Sequence, residues 1–150
     1  MLKRICTAAV AAALTLTVPA HAADPEYYSP PQSKMPFSEA VRAGDFLLVS
    51  GQVGLGKEGE GGDALFKSAA HTAMDSIQKI LTAHGSSLDH VVQCTVMLTD
   101  MKLWPTFNEV YVSYFKPGHM PARSAFGVTA LAFGAPLEVS CNAYEPQAKH

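Results

Sequence analysis

The chain has 150 residues, of which 48% are hydrophobic and 16% are charged, and its formal net charge is −2. This length suits one folded domain with a single core and leaves no room for two domains of ordinary size. The lysines and arginines are scattered without a basic stripe, so the composition argues against nucleic-acid binding, which requires concentrated positive charge.

The first 22 residues are predicted to be a secretory signal peptide. Lys3 and Arg4 precede an apolar, alanine-rich run over 5–18, and small residues follow at Ala20 and Ala22. The run is shorter than the roughly 20 residues needed to cross a bilayer. We therefore expect cleavage after Ala22 and a mature protein that is periplasmic or secreted. An uncleaved amino-terminal anchor is the alternative.

Three segments are predicted after the signal peptide. Residues 23–36 carry several prolines among polar residues and are expected to form an extended lead-in segment. A single domain is expected over 37–145, and residues 146–150 are predicted to be a short polar tail.

The first elements of the domain are predicted to be two strands in a hairpin. They cover 38–42 and 46–50, with Gly44 in the turn. The following segment, 54–62, is predicted to be a glycine-rich loop. It lacks both the Walker ending and a dinucleotide fingerprint, so these glycines do not indicate phosphate binding.

Two helices and three more strands are predicted in the rest of the domain. Apolar residues recur at helical spacing from Asp63, a candidate N-cap, to His84. A second helix is predicted over 103–115. The strands are expected at 91–98, 122–128 and 137–144.

The predicted order ββαβαββ indicates an α+β fold, in which two helices cover one face of a mixed sheet. The other face is then left open. With Val41, Val49 and Phe126 on it, this open face would be too apolar to remain in contact with water, which favours association of subunits.

Cys94 and Cys141 are the two cysteines that follow the signal peptide. Alternation places each of them on the apolar side of a predicted strand, and buried free thiols are the preferred interpretation. A disulfide is the alternative, since it would persist in an oxidising compartment, but it requires neighbouring strands with Cα atoms within about 7 Å.

Arg123 and Glu138 are the candidate chemical groups. Glu138 alternates away from the apolar residues of the last strand, and Arg123 alternates away from Ser124. We expect these two side chains to share a cleft, the alternative being two solvated charges or a simple ion pair. The histidines show no metal-ligating spacing, so no metal site is predicted.

Four segments resemble, in order and spacing, the signature blocks of the Rid (YjgF-like, reactive intermediate deaminase) family: PFSEAV at 36–41, SGQ at 50–52, PARS at 121–124 and GAPLEV at 134–139. The resemblance implies a chorismate-mutase-like fold and a homotrimer with active-site clefts between subunits. It also implies cofactor-free hydrolysis of 2-imino or enamine acids, such as 2-iminopropanoate and 2-iminobutanoate, to 2-keto acids and ammonia.

The resemblance also implies roles for individual residues. Arg123 would bind the substrate carboxylate through two parallel donors. Glu138 would hold and partly deprotonate the attacking water. Gly51 would allow the backbone close to the ligand, the backbone at Ala125 would help to hold the carboxylate, and the Phe37 ring would fill space beside it.

The chain departs from the family pattern at four positions. Phe37 stands where many deaminases carry tyrosine, Ser76 where asparagine is usual, Ala69 where glutamine is common and Ala125 where cysteine is frequent. Phe37 and the predicted export motivate an alternative function: an exported trimeric protein of the same fold that binds a small carboxylate or a partner protein with little turnover.

Overall fold

The structure is a computed structural model that describes residues 24–146; the predicted signal peptide lies outside the described residues. One sheet, two helices and short 3-10 turns make up the fold. The elements in chain order are β1 (Glu26–Tyr28), β2 (Ala40–Ala43), β3 (Phe46–Val49), β4 (Gln52–Gly54), α1 (Gly62–Ala83), β5 (Val91–Leu98), α2 (Trp104–Tyr111), β6 (Ala122–Gly127) and β7 (Leu137–Tyr144).

The strands form one mixed sheet in the order β1-β2-β3-β7-β5-β6, and β4 also pairs with β7. Only β5 and β6 pair in parallel among these described strands. The predicted α+β class and mixed sheet are confirmed. Two strands were not predicted: β1 lies within the lead-in segment, and β4 begins just before the predicted loop.

Helix α1 is the longest element and packs along the sheet. Its buried residues follow the predicted helical period, and Gly85, with φ of 73°, terminates it in the left-handed region that glycine tolerates. The N-cap is Gly61 rather than the predicted Asp63, which lies in the first turn. The helix dipole favours an acidic side chain in this turn. The predicted start of the helix is thus displaced by two residues, and the predicted helix itself is present.

The core lies between the helices and one face of the sheet. It includes the buried face of α1, Phe107, Val110 and Tyr111 from α2, and residues of the central strands β5 and β7. No helix among residues 24–146 has both the length and the apolar character needed to cross a membrane.

Within residues 24–146, no helix covers the opposite face of the sheet, as predicted, but the residues on this face differ in part from those predicted. Val41 and the exposed Phe126 do lie on it, since Val41 pairs with the exposed Leu48. Val49 does not, because it pairs with the buried Ala40 and is itself buried under the helices. The exposed aromatic and aliphatic residues of this open face are Tyr27, Phe46, Leu48, Phe126 and Tyr144.

Cys94 and Cys141 form a disulfide, which corrects the preferred interpretation of free thiols. They are direct partners in the antiparallel pairing of β5 with β7, with Cα atoms 4.1 Å apart. Both are 1% exposed and lie on the helix-covered face. The disulfide therefore joins the two central strands from inside the core.

Candidate active site

Arg123 lies on the helix-covered face of the sheet. Its partner in the parallel pairing of β6 with β5 is Cys94, which is buried beneath the helices. The guanidinium carbon Cζ lies 4.6 Å from the centre of the Tyr111 ring and 5.9 Å from that of Phe107. Both distances suit a cation–π contact, so two aromatic side chains of α2 hold the guanidinium in place.

The Arg123 guanidinium is available for a ligand. Within residues 24–146, it makes no ion pair with an acidic side chain and no hydrogen bond. Arginine carries several N–H donors in a planar fork that matches a carboxylate. A half-buried arginine that contacts aromatic rings and has no acidic partner among the described residues can therefore bind an anion.

A depression surrounds Arg123 at the edge of the sheet. Its lining residues are Asn108, Tyr111, Val112, Met120, Pro121 and Arg123. The Tyr111 hydroxyl is buried and has no hydrogen-bond partner in the described part of the chain. Burial raises the pKa of Tyr111, against a smaller lowering by the Arg123 charge, so this hydroxyl stays protonated near neutral pH. Ala125 follows two residues later, half-buried on the same face.

Glu138 lies on the open face. It pairs with Val53 of β4 and Met97 of β5, and it is half-buried. Gly51, the residue before β4, lies directly against its carboxylate: a Cβ atom at this position would collide with Glu138 Oε1. The structure shows that Gly51 allows close approach of the backbone to the Glu138 side chain. The predicted approach of this backbone to a ligand stays a prediction.

Phe37 and Gly51 share a second depression, which lies between the lead-in segment, β4 and α1. Ser76 of α1 also lines it, so one of the departures from the family pattern borders this depression. Phe37 is 56% exposed, a high value for a phenylalanine. Ala69, another departure, is fully buried and its backbone closely approaches Gly54.

The structure divides the predicted site residues into two groups. Arg123 and Ala125 belong to the helix-covered face, whereas Glu138 and Gly51 meet on the open face, next to the depression that Phe37 lines. The predicted shared cleft is therefore absent from a single subunit. Alternation fixes the face of a residue relative to its neighbours in the same strand, but only the pairing between strands shows whether two strands direct their charges to the same side.

Two features of the site were not predicted. Phe107 and Tyr111 stack against Arg123, and the Trp104 indole N–H donates a hydrogen bond to Asn108 Oδ1 at 3.1 Å. The spacing of four residues between Trp104 and Asn108 on a predicted helix is the signal that could have indicated this contact. Among residues 24–146, no three His, Cys, Asp or Glu side chains are grouped so that they could hold a metal ion.

Comparison with known proteins identifies the family. The sequence profile described as Endoribonuclease L-PSP matches residues 28–145. The chain belongs to this family, which includes the YjgF and Rid proteins. The predicted Rid membership is thereby confirmed. The mouse Rid protein named 2-iminobutanoate/2-iminopropanoate deaminase is 38% identical over 114 residues, which cover 73% of this chain and 82% of the mouse protein.

Solved structures of Rid proteins share the fold. Yeast Mmf1 is 34% identical, with a TM-score of 0.67, and the match covers 79% of this chain and 93% of the yeast chain. The YjgF gene product of Escherichia coli is 25% identical, with a TM-score of 0.67, over 79% of this chain and 98% of the bacterial one. A Thermotoga maritima structure described as a putative endoribonuclease is 32% identical, with a TM-score of 0.68, and the match covers 79% of this chain and 93% of the Thermotoga chain. Names within the family thus differ in the activity they state.

Proposed function

We propose that the protein hydrolyses small 2-imino or enamine acids to 2-keto acids and ammonia. The observation that carries the proposal is the Arg123 guanidinium, which is fixed over Tyr111 and has no acidic partner among residues 24–146. A planar fork of donors binds a carboxylate in one orientation, and this orients the adjacent C=N carbon. Relatives named 2-iminobutanoate/2-iminopropanoate deaminase in mouse and human, at 38% and 36% identity, support this substrate class.

In the proposed reaction, Glu138 guides a water molecule onto the imine carbon. Its carboxylate takes a proton as the water oxygen bonds to carbon. Glu138 passes this proton to the nitrogen, which gives a neutral carbinolamine. The hydroxyl proton of this adduct then also moves to the nitrogen as the C–N bond breaks, so the hydroxyl oxygen becomes the keto oxygen and ammonia leaves. Imine and water are consumed, and keto acid and ammonia are formed, so the step requires no cofactor.

We further propose that the catalytic cleft forms between two copies of the chain in a homotrimer. The separation of Arg123 and Glu138 on opposite faces supports this, because one subunit alone does not unite them. The open face supports it as well, since Phe46, Leu48 and Phe126 are each at least 40% exposed on it. Exposed apolar side chains on a sheet face that no described helix covers are characteristic of an interface.

We propose that the protein acts outside the cytoplasm, in the periplasm or after secretion. The amino-terminal sequence supports export, and the Cys94–Cys141 disulfide adds an independent argument. Disulfides persist in oxidising compartments and are rare in the reducing cytosol. Relatives at 34% identity are described as mitochondrial in yeast and chloroplastic in Arabidopsis, so the location of family members varies.

The test is to incubate the purified protein with freshly generated 2-iminobutanoate and to measure the release of ammonia above the spontaneous rate. Wild type is expected to accelerate hydrolysis, and Arg123→Ala is expected to lose about a hundredfold or more in kcat/KM, since it removes the carboxylate anchor. If both proteins leave the spontaneous rate unchanged, the deaminase proposal is wrong. Binding of 2-keto acids without turnover would then favour the binding-protein alternative.

A further inference from the structure

Trp104 and Asn108 are joined across one turn of α2. The Trp104 indole nitrogen Nε1 donates to Asn108 Oδ1 at 3.1 Å. Residues four apart lie on the same side of a helix, so the contact lies within α2. Trp104 is 38% exposed and is outside the set of buried core residues.

This hydrogen bond fixes which end of the Asn108 amide is free. An indole N–H can only donate, so the amide must present its oxygen to Trp104. The amide NH2 group is therefore directed away from the indole. Among the described residues, it has no hydrogen-bond partner.

Asn108 borders the same depression as Arg123 and Tyr111. The guanidinium has only donors, and the free end of the Asn108 amide also has only donors. The Tyr111 hydroxyl is buried, has no hydrogen-bond partner within residues 24–146, and can either donate to a ligand or accept from it. These two polar groups of the depression, the guanidinium and the Asn108 amide, therefore both offer donors, which a ligand with acceptor groups can satisfy.

We propose that Trp104 is a positioning residue, which holds Asn108 as a second donor beside Arg123 and so selects the chemical class of the ligand. The proposal rests on the function given above, in which Arg123 binds a carboxylate. An acid whose 2-substituent accepts a hydrogen bond, a keto oxygen or a neutral imine nitrogen, satisfies both donors. A 2-amino acid bound through Arg123 is expected to bind more weakly, because its ammonium group has only donors and cannot accept from the Asn108 NH2 group. The depression thus distinguishes imino and keto acids from the amino acids that accompany them.

The experiment measures the binding of 2-oxobutanoate and of L-2-aminobutanoate by calorimetry. Wild type, Trp104→Phe, Asn108→Ala and the double variant form a thermodynamic cycle. Trp104→Phe keeps an aromatic ring and removes the N–H. It is expected to weaken 2-oxobutanoate binding about fivefold, the factor that an ordinary hydrogen bond contributes. In the Asn108→Ala background, the same change is expected to have no further effect.

A second variant tests the donor independently of the indole. Asn108→Asp still accepts from Trp104 but replaces the NH2 group with a carboxylate oxygen. It is expected to weaken 2-oxobutanoate binding by more than Asn108→Ala does, and to reduce the preference for the keto acid over the amino acid. Thermal unfolding, which a merely structural role would alter, is expected to stay at the wild-type midpoint for Trp104→Phe.

The outcomes separate this inference from the proposed function. If wild type binds 2-oxobutanoate and Arg123→Ala does not, but Trp104→Phe and Asn108→Asp bind it as wild type does, then Trp104 has no positioning role and the inference is wrong. Equal effects of Trp104→Phe in both backgrounds also overturn it. If wild type does not bind 2-oxobutanoate, the carboxylate site itself is contradicted and both proposals fall.

Discussion

Arg123 and Glu138 lie on opposite faces of one sheet. Arg123 is level with the Cys94–Cys141 disulfide on the helix-covered side, and Glu138 lies three residues before Cys141 in β7 on the open side. A substrate held by Arg123 in a single subunit would have the thickness of the sheet between it and Glu138. Any reaction that uses both groups therefore requires two subunits.

Replacing Arg123 with lysine is expected to recover little of the activity that Arg123→Ala loses. Lysine keeps the positive charge but offers a point charge in place of a planar fork, and it stacks less well on Tyr111. We expect 2-oxobutanoate binding to fall about tenfold or more, measured by calorimetry. Arg42→Lys is the control, since Arg42 donates to the His84 carbonyl far from the depression. Wild-type affinity in Arg123→Lys would contradict the bidentate role.

Gly51→Ala is expected to lower kcat with only a small effect on stability. The new Cβ atom would collide with Glu138 Oε1, so the carboxylate must move from its present position. A displaced general base should cost about tenfold to a hundredfold in kcat. The matched control is Gly61→Ala, where a Cβ atom meets nothing within 4 Å. Unchanged kcat in Gly51→Ala would show that the position of Glu138 is not important for the reaction.

Removal of the disulfide is expected to lower stability and leave the site groups in place. Cys94 and Cys141 are 47 residues apart, and loss of such a cross-link costs about 2–4 kcal/mol of unfolding free energy. Denaturant unfolding of Cys94→Ala/Cys141→Ala against wild type measures this. The addition of a reductant should destabilise wild type and have no effect on the double variant. Equal stability of the two proteins under oxidising conditions would show that the disulfide does not stabilise the fold.

Phe126→Glu on the open face is expected to dissociate the proposed trimer into monomers. Phe126 is 47% exposed in one subunit, and a carboxylate placed within an apolar interface is strongly unfavourable. Light scattering would report the change in mass. Gln78→Glu is the matched control, because it adds a charge on the exposed side of α1. If Phe126→Glu keeps the wild-type mass, the open face is not the subunit interface.

The long elements could be predicted from the sequence because their periodicity is strong. Helix α1 shows one apolar stripe over six turns, and β5 and β7 each have eight residues. The three-residue strands β1 and β4 could not be predicted, since so short a segment has no measurable alternation. Their strand character is set by pairing, with β2 and with β7.

The site was predicted residue by residue but not as an arrangement. Alternation correctly separated Arg123 from Ser124, and Glu138 from Val139, in their own strands. The relation between the strands depends on the register of β6 against β5 and of β5 against β7, including an irregularity between Val91 and Gln93. The register of β5 against β7 also decides the disulfide, because Cys94 and Cys141 can be joined only as direct cross-strand partners. The sequence does not show this register.

The most direct test of the account is complementation between two inactive variants. Arg123→Ala and Glu138→Gln are prepared separately, unfolded together and refolded as mixed trimers, and imine hydrolysis is measured. If each cleft takes Arg123 from one subunit and Glu138 from another, about a quarter of the clefts in randomly mixed trimers are intact, and activity returns to about that fraction of wild type. Mixed trimers that form but hydrolyse no faster than either variant alone would contradict an intersubunit site.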